Sequence, residues 1–252
     1  MNPLNFVVKS PLSLLELNKE KQKDYRNIII LQMLIIMSAM LLKEILVIAG
    51  ISIQTSNAIR DSIFLLLSAL YLFELWDLLR NFTNNKRLLS ITLIGLITAY
   101  GISIFAVNPL YEFFPDLNAK RPYLFIVHAI FFAIEATVIY FAIYDIFTGK
   151  KLSAEKIWGS ACIYLMIGIS FGSIFDLINI ANPGSMGVPL KLGLESYTVC
   201  IYYSMTIIGG HDAFMEAIPL IQNVSIIEAV WSNLFVVLLV GRLLGKPDEE
   251  KE

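Results

Sequence analysis

The chain has 252 residues, 57% of them hydrophobic and only 16% charged, and its mean hydropathy is +0.70. A soluble domain carries about a quarter charged residues, so this composition excludes an ordinary soluble enzyme, a disordered chain and a disulfide-stapled secreted domain. The formal net charge of −2 offers no basic footprint for nucleic acid.

The chain therefore reads as an integral membrane protein, all-α in class. Residues 1–26 carry Lys9, Lys19, Lys21, Lys23 and Arg26 but no long apolar run. They read as a cytoplasmic segment without a signal peptide, either an amphipathic surface helix over Pro11–Arg26 or a solvated tail. A spanning helix needs about 20 mostly apolar residues. Six stretches meet that length: Asn27–Gly50, Ile59–Leu79, Leu88–Val107, Tyr123–Phe147, Ile157–Ile180 and Val224–Leu244. A seventh, Leu192–Ile208, is shorter, interrupted by Glu195 and hydroxyl residues, and bounded by Pro183-Gly184 and Gly209-Gly210. Its length and flanks predict a re-entrant segment that enters the bilayer and turns back.

Basic residues set the expected orientation. With the N-terminus in the cytoplasm, 14 of the 19 Lys and Arg fall on the inner side, and only Arg60, Lys120, Arg121 and Lys191 on the outer side. The distribution predicts six spans with both termini inside. All nine prolines are expected outside the spans. The paired broken helices that bind substrate in many transporters are thus not in evidence. Cys162 and Cys200 stand in apolar text without the spacing of a zinc site or a disulfide framework. With two histidines 83 residues apart and no nucleophile–base or metal-ligand spacing, neither enzyme chemistry nor a cofactor is expected.

From Lys150 onward the chain reads GKKLSAEKIWGSACIYLMIGISFGSIFDLINIANPGSM. A segment GLESYTVCIYYSMTIIGGHDAF follows, then a last span ending EAVWSNLFVVLLVGRLLG, whose closing run goes from Glu228-Ala229 through Val240-Gly241-Arg242-Leu243. Span, half-helix, glycine-containing loop and span, together with the basic linker before LSAEKIWGSACIYLMIGI and the Pro-Gly-Ser at 183–185, resemble a group of bacterial six-helix channel proteins with a potassium-channel pore. The resemblance covers about the last 100 residues, and the four earlier spans match in number and orientation only. It implies a peripheral four-helix region over residues 27–147, a pore domain over 148–245 and a cytoplasmic tail over 246–252. It also implies assembly as a homotetramer in the lipid bilayer of a prokaryotic inner membrane, since one loop cannot close a four-sided filter.

The family's filter reads T-V-G-Y-G-D after a Thr-x-Thr. Here Ser204-Met205-Thr206 matches the Thr-x-Thr and Asp212 the acid, leaving Ile207-Ile208-Gly209-Gly210-His211 as the filter. Ile207 replaces the ion-coordinating threonine, Gly210 the bracing tyrosine and His211 the second glycine. A potassium filter lines the pore with rings of backbone carbonyls, and such a backbone needs residues at ease with positive φ. Gly209 and Gly210 meet that need, yet the packing that would hold the pore diameter is gone. Conduction of monovalent cations with reduced or altered selectivity is the expectation, and a polar turn between two helices is the alternative for 209–212. Four His211 imidazoles at the mouth would repel cations once protonated. In the last span, Glu228, Ser232 and Asn233 fall on one narrow stripe expected to line the pore.

Charges within the spans are the remaining signal. Asp77 and Arg80 lie at the inner end of the second span and are expected to be structural. Lys43 and Glu44 are adjacent and point about 100° apart, a poor geometry for pairing. Glu135 lies nearest a span centre, with His128 two turns before it on the same face; a proton relay and a helix-packing contact are both open. Tyr123–Phe147 holds no Lys or Arg, so gating by a voltage-sensing helix is not expected. Two further classes stay in view: a non-conducting scaffold or sensor that kept the channel fold, and a proton-linked carrier using Glu135 and His128.

Overall fold

The computed structural model describes residues 14–106, 117–148, 153–211 and 215–244. Among them the regular structure is entirely helical. Helix α1 (Leu14–Met37) passes through one π-helical turn, Ser38–Leu42, into α2 (Lys43–Ile48). There follow α3 (Ile53–Phe82), α4 (Lys86–Ala106), α5 (Leu117–Phe147), α6 (Ala154–Ala181), α7 (Leu194–Ile208) and α8 (Pro219–Leu244). Six helical stretches are long and apolar enough to cross a membrane: Glu16–Ile48, Ile53–Phe82, Lys86–Ala106, Ala119–Phe147, Ala154–Ala181 and Pro219–Gly241. The chain thus has the architecture of a multi-pass membrane protein.

Local chemistry sets several helix ends. Ser52 caps α3 by accepting from the Thr55 amide at 3.2 Å, and Asn85 starts α4 by accepting from the amides of Arg87 and Leu88. Two prolines expected outside the spans lie inside helices. Pro219 is the first residue of α8, where a missing N–H leaves no gap. Pro122 sits in the second turn of α5, where it forgoes a single backbone bond.

Helix α1 continues unbroken from Leu14 through residue 26 into the first span, and Tyr25 at 1% exposure belongs to the main core. Two of its polar side chains are buried and tied: Lys21 meets Asp145 at 2.6 Å, and Asn81 donates to Asp24 at 2.5 Å. Arg80 pairs with Asp77 at 2.8 Å and lies over the Trp76 ring, in keeping with a structural role for that pair.

Helix α6 is the axis of the bundle. In its apolar window 61% of residues are buried, against 39% or less in the other five spans. The main core joins α1, α3, α5 and α6 around residues such as Trp76, Val138, Ile146 and Ile163. A second cluster, including Phe175, Cys200, Tyr203 and Ile221, joins α6, α7 and α8.

The path of α7 decides the rest. Its 15 residues make a helix of about 22 Å, short of a bilayer core of about 30 Å. It runs antiparallel along α6: Ser196 meets Asn179, Tyr197 meets Ser173, Ser204 meets Gly168, and the Ile208 carbonyl accepts from the Tyr164 hydroxyl. The chain then returns to the end where α7 began, because the Ile218 amide donates to the Ser185 carbonyl at 2.9 Å.

Close approach of the two helices requires Gly172. A Cβ there would stand 2.9 Å from the Ile201 Cα and 3.1 Å from its nitrogen, both backbone atoms. Gly172→Ala is therefore expected to destabilise the fold by about 1–3 kcal/mol, read as a lowered thermal midpoint in detergent. Gly101→Ala, where a Cβ would meet nothing within 4 Å, is the matched control. Equal midpoints for the two variants would contradict the α6–α7 contact.

Candidate functional site

Two polar assemblies are built where an apolar surrounding makes them expensive. The first lies at the α7 terminus, where the sequence places its candidate loop. Thr206, Ile207 and Ile208 continue the helix, and Gly209 and Gly210 cap it. Gly210 takes φ +73°, the left-handed conformation that a helix C-cap demands. The Gly210 amide donates to Ile207 and the His211 amide to Thr206, while the Met205 carbonyl receives Gly209 and the Ile208 carbonyl receives Tyr164. The carbonyls of residues 205–208 are thus each engaged within the chain. Thr206 turns its hydroxyl back to the Tyr203 carbonyl at 2.7 Å. Gly209, Gly210 and His211 are exposed, and Asp212 lies outside the described residues.

Deeper in, Ser204 and Glu228 are both fully buried and hydrogen-bonded to one another. The Ser204 oxygen also lies 2.6 Å from the Gly168 carbonyl. One hydroxyl proton faces two acceptors, so this chain of bonds closes when the Glu228 carboxyl contributes a proton of its own. Ser232 is buried and donates to the Glu228 carbonyl at 2.8 Å, whereas Asn233, one residue and about 100° further round, is exposed. The expected stripe of three divides accordingly: Glu228 and Ser232 face α6 and α7, and Asn233 faces away from them.

The second assembly lies towards the Ala181 end of α6. Asp176, fully buried, accepts from Ser196, which in turn receives Asn179 at 3.0 Å; the Cys200 sulfur lies 3.9 Å away. On the other carboxylate oxygen, His128 Nε2 stands at 3.3 Å, and its ring packs 4.6 Å from that of Tyr197. Tyr197 reaches Ser173 at 3.2 Å. One turn and a half along α6, Ser170 donates to Glu135 at 3.0 Å. Sequence reasoning brought Glu135 and His128 forward together, but each has its nearest polar partner on α6. It missed Asp176, although an acid inside the span Ile157–Ile180 is the same kind of signal as Glu135.

Both cysteines are buried and free, and among the described residues no group of three or more His, Cys, Asp or Glu is placed to hold a metal ion. No protein-family model matches the chain, and neither a curated protein nor a solved structure matches it significantly.

Truncating Asp176 removes the acceptor of the Ser196 hydroxyl and the carboxylate beside His128 in a buried setting. Asp176→Ala is expected to lose about 2–4 kcal/mol of stability, and Asp176→Asn, which keeps an acceptor oxygen, distinctly less. Thermal unfolding in detergent micelles measures both, with exposed Ser62→Ala as reference. Equal losses for the Ala and Asn forms would contradict the network.

Proposed function

We propose that the protein is a channel-like membrane protein that passes monovalent cations through a pore formed by four copies, with selectivity unlike that of potassium channels. The observation that carries this reading is the course of α7. It descends beside α6 as far as Tyr164, and the chain comes back to Ser185 at the end it left. In a bilayer such a path is re-entrant: irregular backbone at membrane depth is tolerated only against protein or a water-filled space. The C-terminal end of α7 and the exposed Gly209–His211 turn would face that space, where the carbonyl end of a helix favours a cation. Since the carbonyls of 205–208 already serve the chain's own donors, they do not form stacked dehydrating rings, and sodium and potassium should pass at comparable rates. The positive-inside distribution supports a topology with both termini in the cytoplasm and the α6–α7 loop outside.

The test is twofold. The mass of the solubilised particle should correspond to four copies. Vesicles containing it should pass potassium and sodium, with a flux that falls on external acidification and loses that dependence in His211→Gln. A single copy, or no flux of either ion over a broad pH range, refutes the pore.

A second reading, a proton-linked carrier, is favoured by the burial of Glu135, His128 and Asp176 among spanning helices. A carrier saturates with substrate and fails in Glu135→Gln, whereas the pore depends on residues 206–211.

A further inference from the structure

The pore reading makes no use of a space between α3, α4, α5 and α7. A partly open cavity of about 60 Å³ lies there, with Ile35 of α1 and Ile169 of α6 also on its wall. One water needs only about 10–15 Å³ of such space, so the cavity holds more than a single solvent molecule.

Its lining is unusual in three ways. Five aromatic rings border it, those of Phe64, Tyr71, Tyr100, Phe131 and Tyr197, and ring faces attract cations. One carboxyl group, Glu135 at 2% exposure, also lines it, and no Lys or Arg does. Finally, two buried polar atoms on its wall have no hydrogen-bond partner, the Tyr71 hydroxyl and His128 Nδ1. The Tyr71 hydroxyl lies beside Gln32 and Glu135 without completing a bond to either.

The Glu135 carboxyl and the Tyr71 hydroxyl beside it thus present acceptor oxygens to the cavity, among aromatic faces. An anion is repelled by the carboxylate and the rings. A neutral apolar guest would leave the buried acceptors unsatisfied. A bare alkali ion prefers a shell of oxygens, which the Phe64 and Phe131 rings interrupt.

We propose that this cavity binds a small primary ammonium ion of about the size of methylammonium. Its N–H groups meet the Glu135 carboxyl and the Tyr71 hydroxyl, and its carbon lies against the rings. The site belongs to one chain and depends neither on assembly nor on the pore.

Equilibrium binding of radiolabelled methylammonium to the full-length chain in detergent tests this directly. Saturable binding at one site per chain is expected, undisturbed by an equal concentration of potassium or of tetraethylammonium, which lacks N–H donors and exceeds the space. Glu135→Gln should weaken binding at least about tenfold, as expected for loss of a charged hydrogen-bond acceptor. Tyr71→Phe, which keeps the ring and removes one oxygen, should weaken it several-fold, and exposed Ser62→Ala not at all. Methylammonium should also raise the thermal midpoint of the wild-type chain, and of Tyr71→Phe by less, so a misfolded Glu135 variant does not remove the test. Absence of saturable binding, displacement by equimolar potassium, or wild-type affinity in both Glu135→Gln and Tyr71→Phe overturns the proposal. Binding without ion flux would refute the pore and leave this site standing.

Discussion

A polar side chain carried into an apolar bundle must bring its partner with it or find one on a neighbouring helix, because hydrocarbon supplies none. Helix α7 is governed by that constraint along its whole length. Ser196, Tyr197 and Ser204 meet Asp176, Ser173 and Gly168 in turn, all on α6, and the helix ends where Tyr164 donates to its last carbonyl. The small residues of α6 are part of the same arrangement. Gly172 lets the Ile201 backbone come close enough for hydroxyl groups on either side to bond across the interface. Helix position and hydrogen-bond satisfaction are thus one problem with one solution.

The same contact separates two polar centres along α6. Gly168, beside Ser204 and Glu228, and Asp176, beside Ser196 and His128, are eight residues apart, which is about 12 Å along the helix. The first centre lies under α8 and bears on the face where copies would meet in the pore reading. The second opens towards the α3–α5 side and the aromatic cavity. One helix, packed against α6, therefore borders both polar centres.

Much of this was legible in residue order. The six spans needed only apolar run length, and the described helices cover all six predicted stretches with shifts of a few residues at most ends. The short helix after Pro183-Gly184 was also legible, as were the buried Glu135 and the roles of Asp77 and Arg80. Other features were not. Residues 14–26 look like a polar tail because their charges are frequent, yet Lys21 and Asp24 are paired with Asp145 and Asn81, far away in sequence. Pro122 falls within a helix because it stands near the start, a boundary that apolar run length locates too late.

Hydropathy by itself determined the solvent: with long apolar runs and few charges, helices that cross a bilayer pair the backbone polar groups within each segment. Glycine and helix length likewise determined that the chain turns after Ile208. Which polar side chains meet was decided only by tertiary structure. Glu228 with Ser204, His128 with Asp176, and Glu135 with Ser170 lie 24, 48 and 35 positions apart. No local periodicity encodes such pairs, because they depend on the register and rotation at which separate helices pack.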